Sequence, residues 1–203
     1  NLTLCLEQIM STGGGWQDQL GGLLPGIKLI RTTPGWQPEY AVQTLRLSAN
    51  TRRNLQERFV LISTGQRRLA RNLLREIVGK YLTNDRNTLE TLRDIRTLPE
   101  KMGAALQRGN LDYFAHLLSQ QWELNQRLDP GCSNTCIEFI LNACQDLLEG
   151  QFIAGAGGGG FLQVILKKGV SRKNLATRLR KYFPENVAVW ESQFTDQGDI
   201  SPE

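Results

Sequence analysis

Hydrophobic residues along the chain follow two periods, and each period predicts one kind of element. The run at 59–63, Phe-Val-Leu-Ile-Ser, is apolar, short and β-prone, so it predicts a strand. After it, Leu69, Leu73 and Ile77 recur at every fourth position, which predicts a helix. Applied to the whole chain, the two patterns predict strands at 28–31, 40–47 and 59–63, helices at 66–81, 86–108, 111–128 and 133–148, strands at 152–154 and 161–166, a helix at 171–182 and a strand at 187–194.

The order of these elements predicts an α+β fold. Strands come first, four helices follow, and a strand–strand–helix–strand unit ends the chain, which favours an antiparallel or mixed sheet covered by helices. Pro99 lies inside the second helical run and is expected to kink or divide it. The 203 residues are enough to bury a substantial core as one domain.

Composition and charge narrow the classes of partner. The chain is 40% hydrophobic and 22% charged, as is ordinary for a globular protein, and no apolar run approaches the ~20 residues of a membrane span. The net charge is +4, without a recognisable nucleic-acid-binding module, so we expect neither nucleic acid nor membrane as a partner. The cysteines form no metal-binding spacing, and we expect free thiols in a reducing cytoplasm.

Five glycines occur within positions 155–160, with apolar residues on both sides. An ordered glycine costs about 0.5–1 kcal/mol relative to alanine, so an ordered loop of this kind must need bare backbone. The usual reason is a negatively charged ligand that side chains would block. A flexible linker is the alternative, but linkers are flanked by polar residues.

Two nucleotide-binding fingerprints do not account for this loop. Gly155, Gly157 and Gly160 match G-x-G-x-x-G, but that fingerprint must open a helix, whereas positions 161–166 predict a strand. The P-loop pattern G-x-x-x-x-G-K-[ST] occurs nowhere in the chain. The sequence therefore predicts a strand, a glycine loop and a second strand.

A second glycine cluster, at 13–22, encloses one carboxylate, that of Asp18. Gln17 and Gln19 flank it, and Trp16 offers an apolar wall. An aspartate in a turn is ordinarily a helix cap or part of an Asx turn. In this setting it can also accept a proton from a hydroxyl group and orient that group for attack. Two glycine loops suited to anions, together with one carboxylate, suggest phosphoryl transfer to an alcohol.

These motifs carry a resemblance to a known family. The chain resembles the L-fucokinases, within the superfamily of galactokinase, homoserine kinase, mevalonate kinase and phosphomevalonate kinase. The resemblance covers nearly the whole chain, and its most specific feature is the tryptophan before Gln-Asp-Gln. The segments that carry it are 13–19, 25–28, 64–70 with the pattern T-G-x-x-R-x-A, 122–123 with 129–131, and 155–161.

The resemblance implies a fold, a reaction and a set of site residues. It implies the ferredoxin-like C-terminal domain of this superfamily, in an enzyme that uses ATP and Mg²⁺ to phosphorylate the anomeric hydroxyl of L-fucose. Asp18 is the implied catalytic residue, which orients or deprotonates that hydroxyl. The implied substrate-binding residues are Gly15, Trp16, Gln17, Arg68, Gly157, Gly158 and Gly159. For Arg68 the alternative is a solvated stripe of arginines on one face of its helix.

The resemblance also exposes an absence. Members of the superfamily carry a Ser- and Gly-rich phosphate-binding loop upstream of the carboxylate motif, and none precedes Gly13. We therefore expect a C-terminal part of a longer kinase, inactive alone, with the Mg²⁺ ligands upstream. The expected division is a remnant of the N-terminal domain at 1–30, the C-terminal domain at 31–195 and a polar tail at 196–203.

Two other functions stay open on the sequence. One is a heptose-phosphate kinase of the same superfamily, for which no tryptophan is expected before Gln17. The other is a binding module that holds sugar or phosphate without catalysis.

Overall fold

The computed structural model describes residues 20–22, 24–35, 39–66, 71–155, 157–183, 187–190 and 192–194. Its strands are β1 (Lys28–Thr32), β2 (Tyr40–Thr44), β3 (Phe59–Ser63), β4 (Leu148–Ile153), β5 (Phe161–Leu166) and β6 (Ala188–Trp190). Its helices are α1 (Ala49–Arg58), α2 (Arg71–Leu82), α3 (Arg86–Gln107), α4 (Leu111–Leu128), α5 (Thr135–Cys144) and α6 (Arg172–Tyr182), with a 3-10 turn at Pro130–Cys132. None of the helices in these ranges has the length and apolar character needed to cross a membrane.

Four strands form one antiparallel sheet in the order β4-β5-β3-β6, and β1 pairs with β2 in a separate antiparallel hairpin. On β3, Val60 and Ile62 are fully buried, whereas the residues that alternate with them are only partly buried. Their partners on β5, Val164 and Leu162, are buried as well and extend the same apolar face. The predicted α+β fold with an antiparallel or mixed sheet is confirmed.

Helices α5 and α6 cover this apolar face. Ile137 and Ile140 on α5, and Leu175 and Leu179 on α6, are at most 1% exposed and share one core cluster with the sheet. Their spacing of three and four residues places each pair on one side of its helix. Full burial of such a side chain stabilises the fold by about 1.5–3 kcal/mol, so this layer fixes the sheet in place.

Helix α4 lies against the other face of the sheet. A side chain at Gly150 on β4 would place its Cβ 2.2 Å from the carbonyl oxygen of Ala115, so helix and strand backbones are in direct contact. Beside this contact, the Gln151 N–H donates to Ser119 Oγ at 3.1 Å. Ile165 of β5 is fully buried in the cluster that includes Ala115. Glycine at 150 is therefore a packing requirement.

The β1–β2 hairpin rests on α3. The Cβ position of Gly103 lies 3.6 Å from Leu45 Cδ1 and 3.8 Å from Leu29 Cδ2, which is ordinary van der Waals contact. At the surface, Arg31 donates from Nε and Nη2 to the two carboxylate oxygens of Glu100, at 2.5 and 2.8 Å. The hairpin is thus attached to the helical layer and is separate from the four-stranded sheet.

Helix α1 was not predicted from the sequence. Its stretch ANTRRNLQER buries Thr51, Leu55 and Arg58 at helical spacing, but only Leu55 is apolar, so the hydrophobic pattern shows no helix. Ser48 caps the helix, since its Oγ accepts from the Thr51 N–H at 3.1 Å. Tertiary contacts therefore decide this element, and its hydrophobic pattern does not.

Pro99 does not divide α3, which runs unbroken from Arg86 to Gln107. An interior proline costs a helix about 3 kcal/mol or more. Here the helix stays continuous because Leu98, beside the proline, is buried with Leu117 and Leu124 of α4 in one cluster. The expected division is therefore wrong, whereas the other expectation, a kink at Pro99, stays a prediction.

Several element boundaries also differ from the prediction, among them the end of β6, at Trp190 rather than 194. The second strand ends at Thr44 rather than 47, and α5 ends at Cys144 rather than 148. Strand β4 begins at Leu148 rather than 152, because Leu148 already pairs with Leu166 of β5. These shifts reflect strand pairing, which a local pattern does not show.

Candidate functional site

Only part of the predicted site lies among the described residues. Gly157, Gly158 and Gly159 are described and belong to the loop between β4 and β5. The other predicted site residues lie outside the described residues, and their roles stay predictions; they are Gly15, Trp16, Gln17, Asp18 and Arg68. The geometry of the site is therefore built from the loop, which we call the glycine loop and define as residues 155–160.

The glycine loop is a left-handed turn that joins two paired strands. At its base the Ala154 N–H donates to the carbonyl oxygen of Phe161 at 2.9 Å, which closes the hairpin. Residues other than glycine rarely adopt positive φ angles. Four loop residues have them, namely Gly155 (71°), Gly157 (84°), Gly158 (73°) and Gly160 (86°). The strand–loop–strand prediction is confirmed.

Gly157 packs against the 3-10 turn that follows α4. A Cβ at this position would lie 2.5 Å from Cys132 Cβ and 2.6 Å from its carbonyl oxygen, closer than real Cβ contacts come. The same carbonyl oxygen accepts a hydrogen bond from the Gly158 N–H at 2.5 Å. Close packing of two backbones thus explains the bare backbone at Gly157, without a ligand.

The other side of the loop is fixed to the turn after β3. A Cβ at Gly159 would lie 2.8 Å from the carbonyl oxygen of Gln66, and that oxygen accepts from the Gly160 N–H at 2.9 Å. Thr64, which is 2% exposed, donates to the Gly160 carbonyl oxygen from its N–H at 2.9 Å and its Oγ1 at 3.0 Å. Thr64 of the motif T-G-x-x-R-x-A is therefore hydrogen-bonded directly to the glycine loop.

Asn134 links the glycine loop, the turn after β3 and the start of α5, and the sequence analysis did not identify it. Its Nδ2 donates to Gln66 Oε1 at 2.9 Å and to the Gly158 carbonyl oxygen at 3.0 Å. Its Oδ1 accepts from the Ile137 N–H at 3.0 Å and so caps α5. The capping role was readable from an asparagine before a helical run, but the bonds to the two loops were not.

The D-P-G segment at 129–131 lies at the place where the glycine loop meets the turn after β3 and the start of α5. Asp129 Oδ1 accepts from the Gly131 N–H at 2.7 Å and holds the 3-10 turn that carries Cys132. Trp122, from the same motif, is 3% exposed in the main core. Parts of three motifs that are far apart in the sequence therefore meet, and in this region their residues act as structural supports.

Backbone amides are the groups through which the glycine loop can bind an anion. The N–H groups of Gly158 and Gly160 are used by the carbonyl oxygens of Cys132 and Gln66. Those of Gly157 and Gly159 have no acceptor among the described residues. The two free amides alternate with the two bonded ones along the loop, and their use in holding a phosphate group or a sugar hydroxyl stays a prediction.

Metal ligands and other polar candidates add little to this site. Across the described ranges, no three His, Cys, Asp or Glu residues lie close enough together to hold a metal ion, so no Mg²⁺ ligand is assigned there. Asn125, on the apolar side of α4, accepts at Oδ1 from Gln121 Nε2 of the same helix at 2.8 Å. His116 is exposed and stacks on Tyr113, with ring centroids 6.4 Å apart.

Sequence comparison finds relatives along nearly the whole chain, although no family profile matches it. A bifunctional fucokinase/GDP-fucose pyrophosphorylase of Arabidopsis thaliana is 36% identical over 189 residues, 93% of this chain and 18% of the relative. An L-fucokinase/L-fucose-1-P guanylyltransferase of Bacteroides fragilis is 35% identical over 194 residues, with coverages of 96% and 20%. A D-glycero-alpha-D-manno-heptose 7-phosphate kinase of Campylobacter jejuni is 28% identical over 188 residues, with coverages of 91% and 52%. The chain thus spans about a fifth of the two bifunctional relatives.

Solved structures show the same fold. Mevalonate kinase of L. major superposes with a TM-score of 0.66 at 17% identity, over 81% of this chain and 48% of that one. A D-glycero-D-manno-heptose 1-phosphate kinase of Bacteroides thetaiotaomicron gives a TM-score of 0.58 at 18% identity, with coverages of 91% and 47%. The resemblance inferred from the glycine motifs is confirmed: the chain has the fold of this kinase superfamily and is related in sequence to a segment of the fucokinases.

Proposed function

We propose that the chain forms part of an ATP-dependent kinase that phosphorylates the anomeric hydroxyl of L-fucose, giving fucose 1-phosphate. The observation that carries the proposal is the 35–36% identity to two fucokinases, which extends over 93–96% of the chain. The chain spans a minor part of those relatives, so the remainder of such an enzyme would contribute further site residues. Mg²⁺ would neutralise charge on the transferring phosphate.

In this proposal Asp18 acts on the acceptor hydroxyl. The hydroxyl oxygen forms a bond to the γ-phosphorus, the bond from that phosphorus to the ADP oxygen breaks, and the hydroxyl proton passes to the Asp18 carboxylate. Gly15, Trp16 and Gln17 shape the sugar site around the carboxylate. All four residues are adjacent in sequence, which supports a single compact site.

The glycine loop holds the transferring phosphate or the sugar through the free amides of Gly157 and Gly159. Arg68 adds positive charge at the same place. Gln66, two residues earlier, is bonded through its carbonyl oxygen to Gly160, and two residues span at most about 7 Å. That short reach supports an arginine beside the glycine loop, where it would bind phosphate as a planar, charged donor.

The proposed setting is the cytoplasm, where ATP is the phosphoryl donor. The thiols of Cys136 and Cys144 are free, which supports a reducing compartment. Cytoplasmic location stays a prediction.

A substrate panel tests the proposal on the product of the complete reading frame. ADP release is measured with ATP and Mg²⁺ against L-fucose, D-arabinose, D-galactose and a heptose 7-phosphate. We expect selective turnover of L-fucose, and a fall of about 10²–10⁴-fold in kcat for Asp18→Asn if the carboxylate acts as a base. Unchanged turnover in that variant would remove Asp18 from the mechanism.

A heptose-phosphate kinase is the second candidate. It is favoured by the Campylobacter jejuni relative, whose length the chain covers to 52%. Trp16 before Gln17 argues for the fucokinase instead. Turnover of the heptose 7-phosphate with no turnover of L-fucose would reverse the assignment, and a folded protein that binds ATP but acts on no sugar would favour a non-catalytic binding module.

A further inference from the structure

The side chain of Gln66 lies against the glycine loop. Its Cβ is 3.3 Å from the position that a Cβ of Gly159 would take, so the two residues are in direct contact. The carbonyl oxygen of Gln66 accepts from the Gly160 N–H at 2.9 Å, which fixes the backbone at this place. Gln66 is nevertheless an exposed residue, so its side chain is accessible to a ligand at the loop.

A series of hydrogen bonds determines which end of the Gln66 carboxamide is the donor. Asn134 Oδ1 accepts from the Ile137 N–H, so the other end of the Asn134 amide, Nδ2, is a donor. That donor lies 2.9 Å from the Gln66 carboxamide, which therefore presents its oxygen Oε1 to Asn134. The series starts at a backbone N–H, which can only donate, so the later assignments follow from it. Gln66 Nε2 is consequently the end that does not face Asn134.

Two neighbouring donors at this place are unused. Gln66 Nε2 has no acceptor among the described residues, and neither has the N–H of Gly159, on which Gln66 packs. Helix α5 starts directly after Asn134, so its N-terminus, which carries partial positive charge, lies beside them. The carboxylate in the first turn of α5, that of Glu138, is engaged by Ser133 Oγ. Two donors next to a helix N-terminus favour a negatively charged ligand group over a neutral one.

We propose that Gln66 binds the γ-phosphate of the nucleotide, with Nε2 donating to a phosphate oxygen. The inference rests on the proposed kinase function and deepens it, because it assigns a phosphate contact to a residue outside the set that the resemblance implied. Asn134 is then a positioning residue, since it holds the Gln66 carboxamide and does not itself contact the ligand. Hydrogen bonds to a charged acceptor are about twice as strong as neutral ones, so the loss of this donor is measurable.

The substitution Gln66→Glu, in the product of the complete reading frame, tests the Nε2 donor. The carboxylate keeps one oxygen for Asn134 Nδ2 and places a second, charged oxygen where Nε2 lay. Isothermal titration calorimetry with Mg²⁺ measures the affinity for AMP-PNP, whose γ-phosphate is not transferred, and for ADP, which has no γ-phosphate. We expect the variant to bind AMP-PNP about tenfold or more weakly, because a hydrogen bond to phosphate is lost and a like charge is added. The affinity for ADP should be unchanged.

The substitution Gln43→Glu is the matched control. Gln43 is also exposed, and its Oε1 also accepts from a side chain, from Arg31 Nη1 at 3.0 Å, but it lies on the β1–β2 hairpin. The same chemical change away from the glycine loop should leave both affinities unchanged. Thermal unfolding is recorded for both variants. If Gln66→Glu lowers the Tm, Gln66→Met takes its place, since it removes the donor without adding charge.

Four outcomes would overturn the proposal: no binding of AMP-PNP by the parent protein, equal AMP-PNP affinity in parent and Gln66→Glu, equal weakening of AMP-PNP and ADP, or equal weakening in Gln66→Glu and Gln43→Glu. The substrate panel gives a separate result. Selective weakening of AMP-PNP without turnover of any sugar would support the phosphate contact and reject the proposed reaction. Turnover of L-fucose with unchanged AMP-PNP affinity in Gln66→Glu would support the reaction and reject the role of Gln66.

Discussion

Alanine at Gly157 should destabilise the protein more than alanine at Gly155, although both glycines lie in the same loop with similar φ angles. Gly157 has φ 84° and Gly155 has φ 71°. The difference lies in their surroundings. A Cβ at Gly155 meets nothing within 4 Å, whereas a Cβ at Gly157 lies 2.5 Å from Cys132 Cβ, 2.6 Å from its carbonyl oxygen and 2.8 Å from its Cα. The pair therefore separates backbone strain from overpacking.

The expected magnitudes follow from these two terms. A left-handed conformation costs a residue with a side chain about 1–2 kcal/mol, and both variants carry this cost. Overpacking in a well-packed site adds about 1–3 kcal/mol, and only Gly157→Ala carries it, because two of the three clashing atoms are backbone. We therefore expect a loss of about 1–2 kcal/mol for Gly155→Ala and about 2–5 kcal/mol for Gly157→Ala.

Urea unfolding monitored by circular dichroism measures both variants against the parent chain. The free energy of unfolding is taken by linear extrapolation, and unchanged slopes show that the denatured state is comparable. An excess of about 1–3 kcal/mol corresponds to roughly 2–12 °C in Tm for a chain of this size. Equal losses in the two variants would refute the argument that Cys132 excludes a side chain at position 157.

Two further predictions concern the side chain of Asn134 and the buried thiol of Cys144. Asn134→Asp keeps the cap on α5 but replaces the Nδ2 donor with an oxygen facing two carbonyl-type acceptors, so we expect a loss of about 1–3 kcal/mol by urea unfolding. Asn110→Asp is the matched control: Asn110 also caps a helix, through Oδ1 to the Tyr113 N–H, and should be near neutral, so similar losses in both would contradict the linking role of Asn134. Burial raises the pKa of the Cys144 thiol to about 11, so its thiolate is scarce at neutral pH. Iodoacetamide labelling followed by mass spectrometry should therefore modify the half-buried Cys136 before Cys144. Faster labelling of Cys144 than of Cys136 in the folded protein would contradict the burial of Cys144.

The placement of the glycine loop could be predicted from the sequence, because its signal is local. Apolar β-prone residues flank the glycines, and this pattern was enough to place the loop between two strands. The reason for the glycines could not be predicted in the same way. Gly157 meets Cys132, 25 positions earlier, and Gly159 meets Gln66, 93 positions earlier, and no local pattern reports such contacts.

Elements that depend on distant partners were the ones the sequence did not show. Helix α1 buries few residues of its own and forms where Leu55 joins the cluster of α4 and β5. The early start of β4 likewise depends on the pairing of Leu148 with Leu166. Helices with a clear apolar period, such as α4 and α6, were predicted to within a residue at each end.

The ion pair between Arg58 and Asp112 was invisible in the sequence for the same reason. The two residues lie 54 positions apart, and no local pattern joins them. The burial of Arg58 beside Asp112 appears only when β3 and β5 are paired, because that pairing sets the end of α1 against the turn after β5.

Packing of the glycine loop also changes what its glycines imply about a ligand. If a ligand had to order the loop, the entropy of fixing it would weaken binding. Here the protein itself orders the loop, because Gly158 and Gly160 are anchored by hydrogen bonds to Cys132 and Gln66. The free amide of Gly159 lies between these two anchored residues and that of Gly157 directly precedes them, so the loop backbone is held in place before any ligand arrives. Packing therefore accounts for Gly157 and Gly159 without a ligand, and phosphate-dependent NMR shifts of their amides in the complete enzyme are the direct test of the anion-binding role proposed for them.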